Sequence, residues 1–197
     1  TYFNYVPKFL GSTSNNIYTY GAQLEAGSYP TSYIPTYGTA ATRVGDAANK
    51  TGISSLIGQT EGTLFVEGYW NGSDVDTMFG VLSDGTSSNR IHFGYDSGDN
   101  WIYALIKNGG VIQVLITQTG NSAGWFKLAF AYKANDFAFY INGTQIGTDT
   151  SGSVPACSRV DVGNYFSSGF TLGGGIKQYL IFKTRLTNAE LATLTTL

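Results

Sequence analysis

Residues 125–147 read WFKLAFAYKANDFAFYINGTQIG. Phe126, Leu128, Phe130 and Tyr132 fall on one side of an extended chain; Lys127, Ala129, Ala131 and Lys133 fall on the other. That period of two is the signature of a half-buried strand. Ala134-Asn135-Asp136 turns the chain, which returns through Phe137, Phe139 and Ile141. Asn142-Gly143 reverses it again, and Asn-Gly between apolar runs is a strong hairpin signal because both residues accept positive φ. Two reversals so close together make an antiparallel meander and exclude a βαβ unit.

The same grammar extends upstream. Strands are expected over 63–70, 78–82, 90–95, 101–107 and 111–117, separated by Gly, Asn, Asp and Ser. Leu64, Val66 and Trp70 should face inward, as should Ile91, Phe93 and Tyr95 and then Ile102, Ala104 and Ile106. Downstream, 160–162 and 176–183 read as strands. Thr187-Asn188-Ala189-Glu190 fits a capping box, so a short helix is expected from Asn188 to about Leu194. The fold class is therefore all-β, a sandwich of two antiparallel sheets with one short helix near the C-terminus. Trp70 and Trp125 read as core residues.

The hairpin's pattern, a strand opening on Trp, a Tyr before a short turn and a strand ending in aromatic-Ile-Asn-Gly, resembles the laminin-G-like, concanavalin A-like family. That resemblance implies a jelly-roll sandwich, in a family where many members bind carbohydrate and some branches cleave it. Residues 20–43, YGAQLEAGSYPTSYIPTYGTAATR, resemble a junction seen in phage tail or virion proteins and bacterial surface proteins. There a β-domain leads into a laminin-G-like domain. The domains are thus read as 1–44, an N-terminal arm or the remnant of an upstream β-domain, and 45–197, the sandwich. A short strand is expected over 17–24. The resemblance also implies an extracellular or virion-surface location, with a homo-oligomer such as a trimer, or an upstream domain, as partner.

Composition narrows function. The 197 residues carry a net charge of −2 and only 12% charged residues, so no basic face exists for nucleic acid. No run has the length of a membrane-spanning helix. The single cysteine, Cys157, excludes an internal disulfide and reads as a buried thiol. Aromatics make up 15% of the chain. Tyr and Trp suit sugar stacking, with an apolar face and a polar tip.

Catalytic patterns are missing. Glycoside hydrolysis needs two carboxylates astride one bond. The Glu-x-Asp-x-x-Glu strand that the resemblance implies for a glucanase is not found: after Glu67 come Tyr69 and Gly72. Arg90-Ile91-His92 departs from the Gln-Ile-His of the lyase branch, and no Gly-x-Ser-x-Gly elbow accompanies the single histidine. Lys177 and Gln178 stand where the family usually has an acidic residue, which removes support for a metal contact there. Asp46, Asp74, Asp76, Asp84, Asp96 and Asp99 could supply oxygens to a structural calcium, although Asp in such loops also serves turns.

What alternation does gather is a set on the non-core side of strands: Phe65, Glu67, Tyr69, His92, Trp101, Tyr103 and Gln113. If their strands are neighbours they share one face, with rings for stacking and Glu, His and Gln for hydroxyls. Glu67, Tyr69, His92, Trp101, Tyr103 and Gln113 are accordingly the candidate carbohydrate-binding residues. The function expected is a non-catalytic module that binds a polysaccharide through this face or through edge loops. The alternatives are a structural or assembly domain of a phage tail or virion protein, and a polysaccharide-cleaving lyase or hydrolase.

Overall fold

Large apolar residues alternating along short strands must bury one face of each sheet, and two sheets packed face to face do so. The computed structural model of the chain shows this arrangement. It describes residues 11–14, 18–24, 33–41, 48–72, 75–120, 123–164, 170 and 172–197. Asp46 and Asp74, considered for calcium, lie outside the described residues. The chain divides into two units, Thr1–Val44 and Gly45–Leu197. In the first, residues 18–24 are not a strand; Ile34 N donates to Gln23 Oε1 at 2.8 Å.

The second unit contains eleven strands among its described residues: β1 (Ala48–Thr51), β2 (Glu61–Trp70), β3 (Thr77–Ser83), β4 (Arg90–Asp96), β5 (Trp101–Asn108), β6 (Val111–Thr119), β7 (Gly124–Lys133), β8 (Asp136–Ile141), β9 (Thr144–Asp149), β10 (Arg159–Val162) and β11 (Gly174–Phe182). Helix α1 (Asn188–Thr195) follows. One antiparallel sheet has the order β1-β10-β3-β4-β5-β6; the other has β11-β2-β7-β8-β9. The edge strand β1 is an element that the sequence pattern did not signal: its four residues are all exposed, so no alternation marks them.

Between the sheets lies one apolar core. The six-stranded sheet supplies Ile91, Phe93, Ala104 and Ile106, and the five-stranded sheet supplies Leu64, Phe130, Phe137 and Phe139, all fully buried. The inward sides expected of β2, β4, β5 and β7 are those observed. Cys157 belongs to this core, and burial pushes its thiol up to about 12, so it stays protonated and inert at neutral pH. The Asn142-Gly143 reversal has φ of 48° and 81°, the two positive values that a tight hairpin turn asks for. Gly62 has no room for a side chain, because a Cβ there would collide with the Tyr132 hydroxyl.

A second, smaller apolar cluster lies on the outer side of the five-stranded sheet. Ala129, Ala131 and Ala138 are small enough to let α1 approach, and Leu191 of the helix packs with them and with Phe65. The capping box is present as the sequence implies: Glu190 N donates to Thr187 Oγ1 at 3.3 Å and Thr187 N donates to Glu190 Oε2 at 2.7 Å.

Candidate functional site

The six candidate residues do not form one face. Glu67 and Tyr69 lie on β2, in the five-stranded sheet; His92, Trp101, Tyr103 and Gln113 lie on β4, β5 and β6, in the six-stranded sheet. Both groups point away from the core. Because the sheets pack core to core, their outer faces lie on opposite sides of the sandwich. The single shared face expected from alternation is therefore corrected to two.

On the outer face of the six-stranded sheet, register places His92 opposite Val81 and Leu105, with Tyr103 opposite Gly94. His92 is 1% exposed. It was expected to offer its ring nitrogens to sugar hydroxyls, but both are buried, and neither Nδ1 nor Nε2 has a hydrogen-bond partner among the described residues. Burial, with Arg90 and Lys107 adding positive charge nearby, pushes its pKa down to about 3. The imidazole is neutral and closed off, so it cannot reach a ligand hydroxyl in this conformation. Tyr103 meets His92 edge-on at 5.4 Å and donates its hydroxyl to Met78 Sδ at 3.8 Å. Gln113 serves the scaffold, its Oε1 accepting from Ser153 N at 3.2 Å and Ser153 Oγ at 3.1 Å. Arg159 forks onto Asp161 at 2.7 and 2.6 Å. Trp101 is half-buried near the far end of the same face.

The outer face of the five-stranded sheet is different. Gly175, Tyr69 and Trp125 are cross-strand neighbours on β11, β2 and β7. Tyr69 is 41% and Trp125 59% exposed, and their rings meet edge-on with centroids 5.6 Å apart. Trp125 was expected in the core. It is outside because it lies one residue before Phe126, and the alternation that buries Phe126 turns Trp125 to solvent. That parity was available in the sequence. Gly175 adds no side chain, and a Cβ there would meet nothing, so the rings stand clear on that side.

Beside the rings runs a polar row. Glu67 is opposite Lys127. Glu67 is only 9% exposed, so its outward direction holds but not its openness. Its Oε1 takes an ion pair from Lys177 Nζ at 2.7 Å, Lys177 lying in the bulge of β11. Lys127 Nζ donates to Thr196 O at 2.7 Å. Tyr69, Trp125, Glu67, Lys127 and Lys177 thus compose an aromatic platform with a charged margin, and α1 covers the same face farther along, over β7, β8 and β9.

A cleft of about 310 Å³ opens at the end of the sandwich next to Trp125, which lines it. It lies where β6, β7 and the β8–β9 turn converge. Its chemistry is mixed, with Ile102 and Phe126 alongside Gln118, Asn142 and Thr144. Nothing in the sequence pattern pointed to it, because its walls come from residues far apart in the chain.

No cluster of three His, Cys, Asp or Glu side chains suited to a metal ion occurs among the described residues. Of the acidic residues considered for calcium, Asp76 accepts from Ser97 N and Oγ, and Asp96 accepts from Gly98 N and Asp99 N. Asp84 accepts from Thr86 and Asn89. Asp84 and Asp96 thus serve their own turns, and Asp76 ties its loop to the β4–β5 turn. Among the described residues, no helix is long and apolar enough to cross a membrane.

Comparison with known proteins agrees with this architecture. A family model described as the concanavalin A-like lectin/glucanases superfamily, of laminin-G type, matches residues 69–192. No curated protein matches the chain. Among solved structures, the CBM40 module of a Ruminococcus gnavus sialidase bound to α2,3-sialyllactose is similar, with a TM-score of 0.62 at 14% identity over 74% of this chain and 86% of that one. A pentraxin from Limulus polyphemus gives a TM-score of 0.51 at 15% identity, covering 68% of each chain. The NanB sialidase of Streptococcus pneumoniae gives 0.59 at 16% identity over 76% of this chain but only 26% of its own length. At these identities the likeness is one of fold.

Proposed function

The chain belongs to the concanavalin A-like lectin/glucanases superfamily, and from that premise we propose that it is a non-catalytic module that binds a glycan on the platform of Tyr69 and Trp125. The observation that carries this reading is the exposed, neighbouring ring pair on the outer face of the five-stranded sheet. Rings of this kind offer a flat apolar surface to the C–H face of a pyranose. Lys177, the exposed member of its ion pair with Glu67, stands beside them for the hydroxyls. A bound-sugar structure of a similarly folded sialidase module supports a glycan as the ligand class. The absence of catalysis is supported by Glu67, the carboxylate of the platform, being engaged by Lys177; hydrolysis asks for two carboxylates working together.

The test is a glycan array followed by calorimetry on the wild type and on Tyr69→Ala, Trp125→Ala and Trp101→Ala. Trp125→Ala should weaken binding at least about tenfold, roughly 1.4 kcal/mol, while Trp101→Ala should not. The reverse pattern would move the site to the six-stranded face, to Trp101 and Tyr103.

A second reading, assembly within a phage tail, virion or other surface protein, has one observation in its favour. Leu180 on β11 is exposed on the same sheet face as the two rings, which would suit a partner subunit. Sedimentation equilibrium decides it: an oligomer that Trp125→Ala dissociates would put protein, not sugar, on the platform.

A further inference from the structure

We propose that the cleft at the end of the sandwich is a subsite for the terminal sugar of a glycan chain, continuous with the platform through Trp125. The inference rests on the glycan-binding reading and adds which part of the glycan is recognised.

Three observations lead there. First, the cleft is floored by the core. Trp70, Ile102 and Phe126, which line it, are buried members of the core between the sheets. A chain entering cannot pass through. An internal sugar carries two glycosidic links and needs two exits; a terminal sugar carries one. Second, the rim offers uncommitted polar groups. Asn142 Oδ1 accepts from Lys127 N at 2.8 Å, which fixes the amide, while its Nδ2 has no partner among the described residues. The Thr144 hydroxyl likewise has none among the described residues, and both residues are exposed. Third, Trp125 belongs to both places, lining the cleft and touching Tyr69. At about 310 Å³ the space is at the small end for ligand sites, suited to one or two sugars and not to a long chain.

The ligand class is therefore a neutral or charged oligosaccharide end, held with its ring against Trp125 and its hydroxyls at Asn142 and Thr144. Binding is measured by calorimetry with cello-, xylo- and malto-oligosaccharides of increasing length and with α2,3-sialyllactose, and by capacity assays on a parent polysaccharide before and after endo-cleavage. Affinity should stop rising after the second or third sugar, and cleavage should raise capacity in proportion to chain ends. Thr144→Trp, which fills the mouth from an exposed edge-strand position, should weaken binding about tenfold; Thr144→Val should weaken it less. If affinity keeps rising with length, cleavage lowers capacity and Thr144→Trp is neutral while Trp125→Ala still abolishes binding, the end-recognition inference falls and the platform stands. If Trp125→Ala is neutral, or no sugar binds, the platform reading falls and the inference with it. The wild-type length series and cleavage assay decide the matter even if a variant fails to fold.

Discussion

At the scale of single residues, His92 separates what alternation encodes from what it leaves out. Parity along β4 correctly assigns it to the side away from the core, but parity does not count neighbours. Val81, Leu105 and Tyr103 close around it, and Arg90 and Lys107 lie near enough to oppose its protonation. The consequence is a pH dependence of stability with a definite sign. The folded pKa, about 3, lies below the unfolded value of about 6.5. Between those values the unfolded chain binds the extra proton, so the contribution is complete above pH 6.5 and is lost as pH falls toward 3, at about 1.4 kcal/mol per pH unit. Asp84, which the hydrogen bonds of Asn89 and Thr86 hold below the ordinary carboxylate range against the opposing effect of burial, destabilises in the same direction at lower pH. Comparison with His92→Leu isolates the histidine. Urea unfolding at pH 7 and pH 4 should show the wild type losing up to about 3 kcal/mol more than the variant. Parallel losses would mean that the imidazole is protonated in the folded protein. Trp125 teaches the complementary lesson: its parity with Phe126 was legible, and the expectation of a core tryptophan came from residue type overruling pattern.

At the scale of elements, most strands of the sandwich and the helix were legible because each carries a local signal; the exposed edge strand β1 carries none, and residues 18–24, expected to be a strand, are not one. The capping box set the start of α1, and the Asn142-Gly143 turn set the β8–β9 hairpin. The role of the helix was not legible, since it depends on Ala129, Ala131 and Ala138 lining up across β7 and β8 to make a shallow floor. A helix of eight residues is too short to be stable alone; it persists through its cap and through Leu191. Two variants weigh these supports. Thr187→Ala removes the N-cap acceptor and should cost about 1 kcal/mol. Leu191→Ala empties a fully buried position and should cost roughly 2–5 kcal/mol. Chemical denaturation of the two measures both. If Leu191→Ala matched a surface substitution, the helix would not be part of the cooperative fold. With α1 loosened, hydrogen exchange should also rise at Gly143, whose amide donates to Thr195 Oγ1 at 3.0 Å.

At the scale of the whole molecule, sheet membership was the unreadable quantity. Period-two alternation states on which side of a strand a residue lies, never in which sheet the strand sits. Here β2 pairs with β7 and β11, and β10 inserts between β1 and β3. Only these long-range pairings separate Tyr69 from Trp101, and they bring Tyr69 to Trp125, fifty-six positions away by the numbering. The separation makes a global measurement informative about a local site. A ligand that binds only the folded state stabilises it by RT ln(1 + [L]/Kd), about 2.7 kcal/mol at a hundredfold excess over Kd. Thermal unfolding of the wild type should therefore shift upward with a binding oligosaccharide. Tyr69 and Trp125 are exposed, so truncating either should change the sugar-free Tm little, surface changes usually costing no more than about 0.5 kcal/mol. The sugar-induced shift should fall to about half or less in Trp125→Ala and persist in Trp101→Ala, because the two tryptophans face opposite sides of the sandwich. A shift lost in both variants would require a ligand that spans both outer faces at once, which the core between the sheets forbids for a short oligosaccharide. Such a result would have to come from unfolding, and the sugar-free Tm of each variant would reveal it.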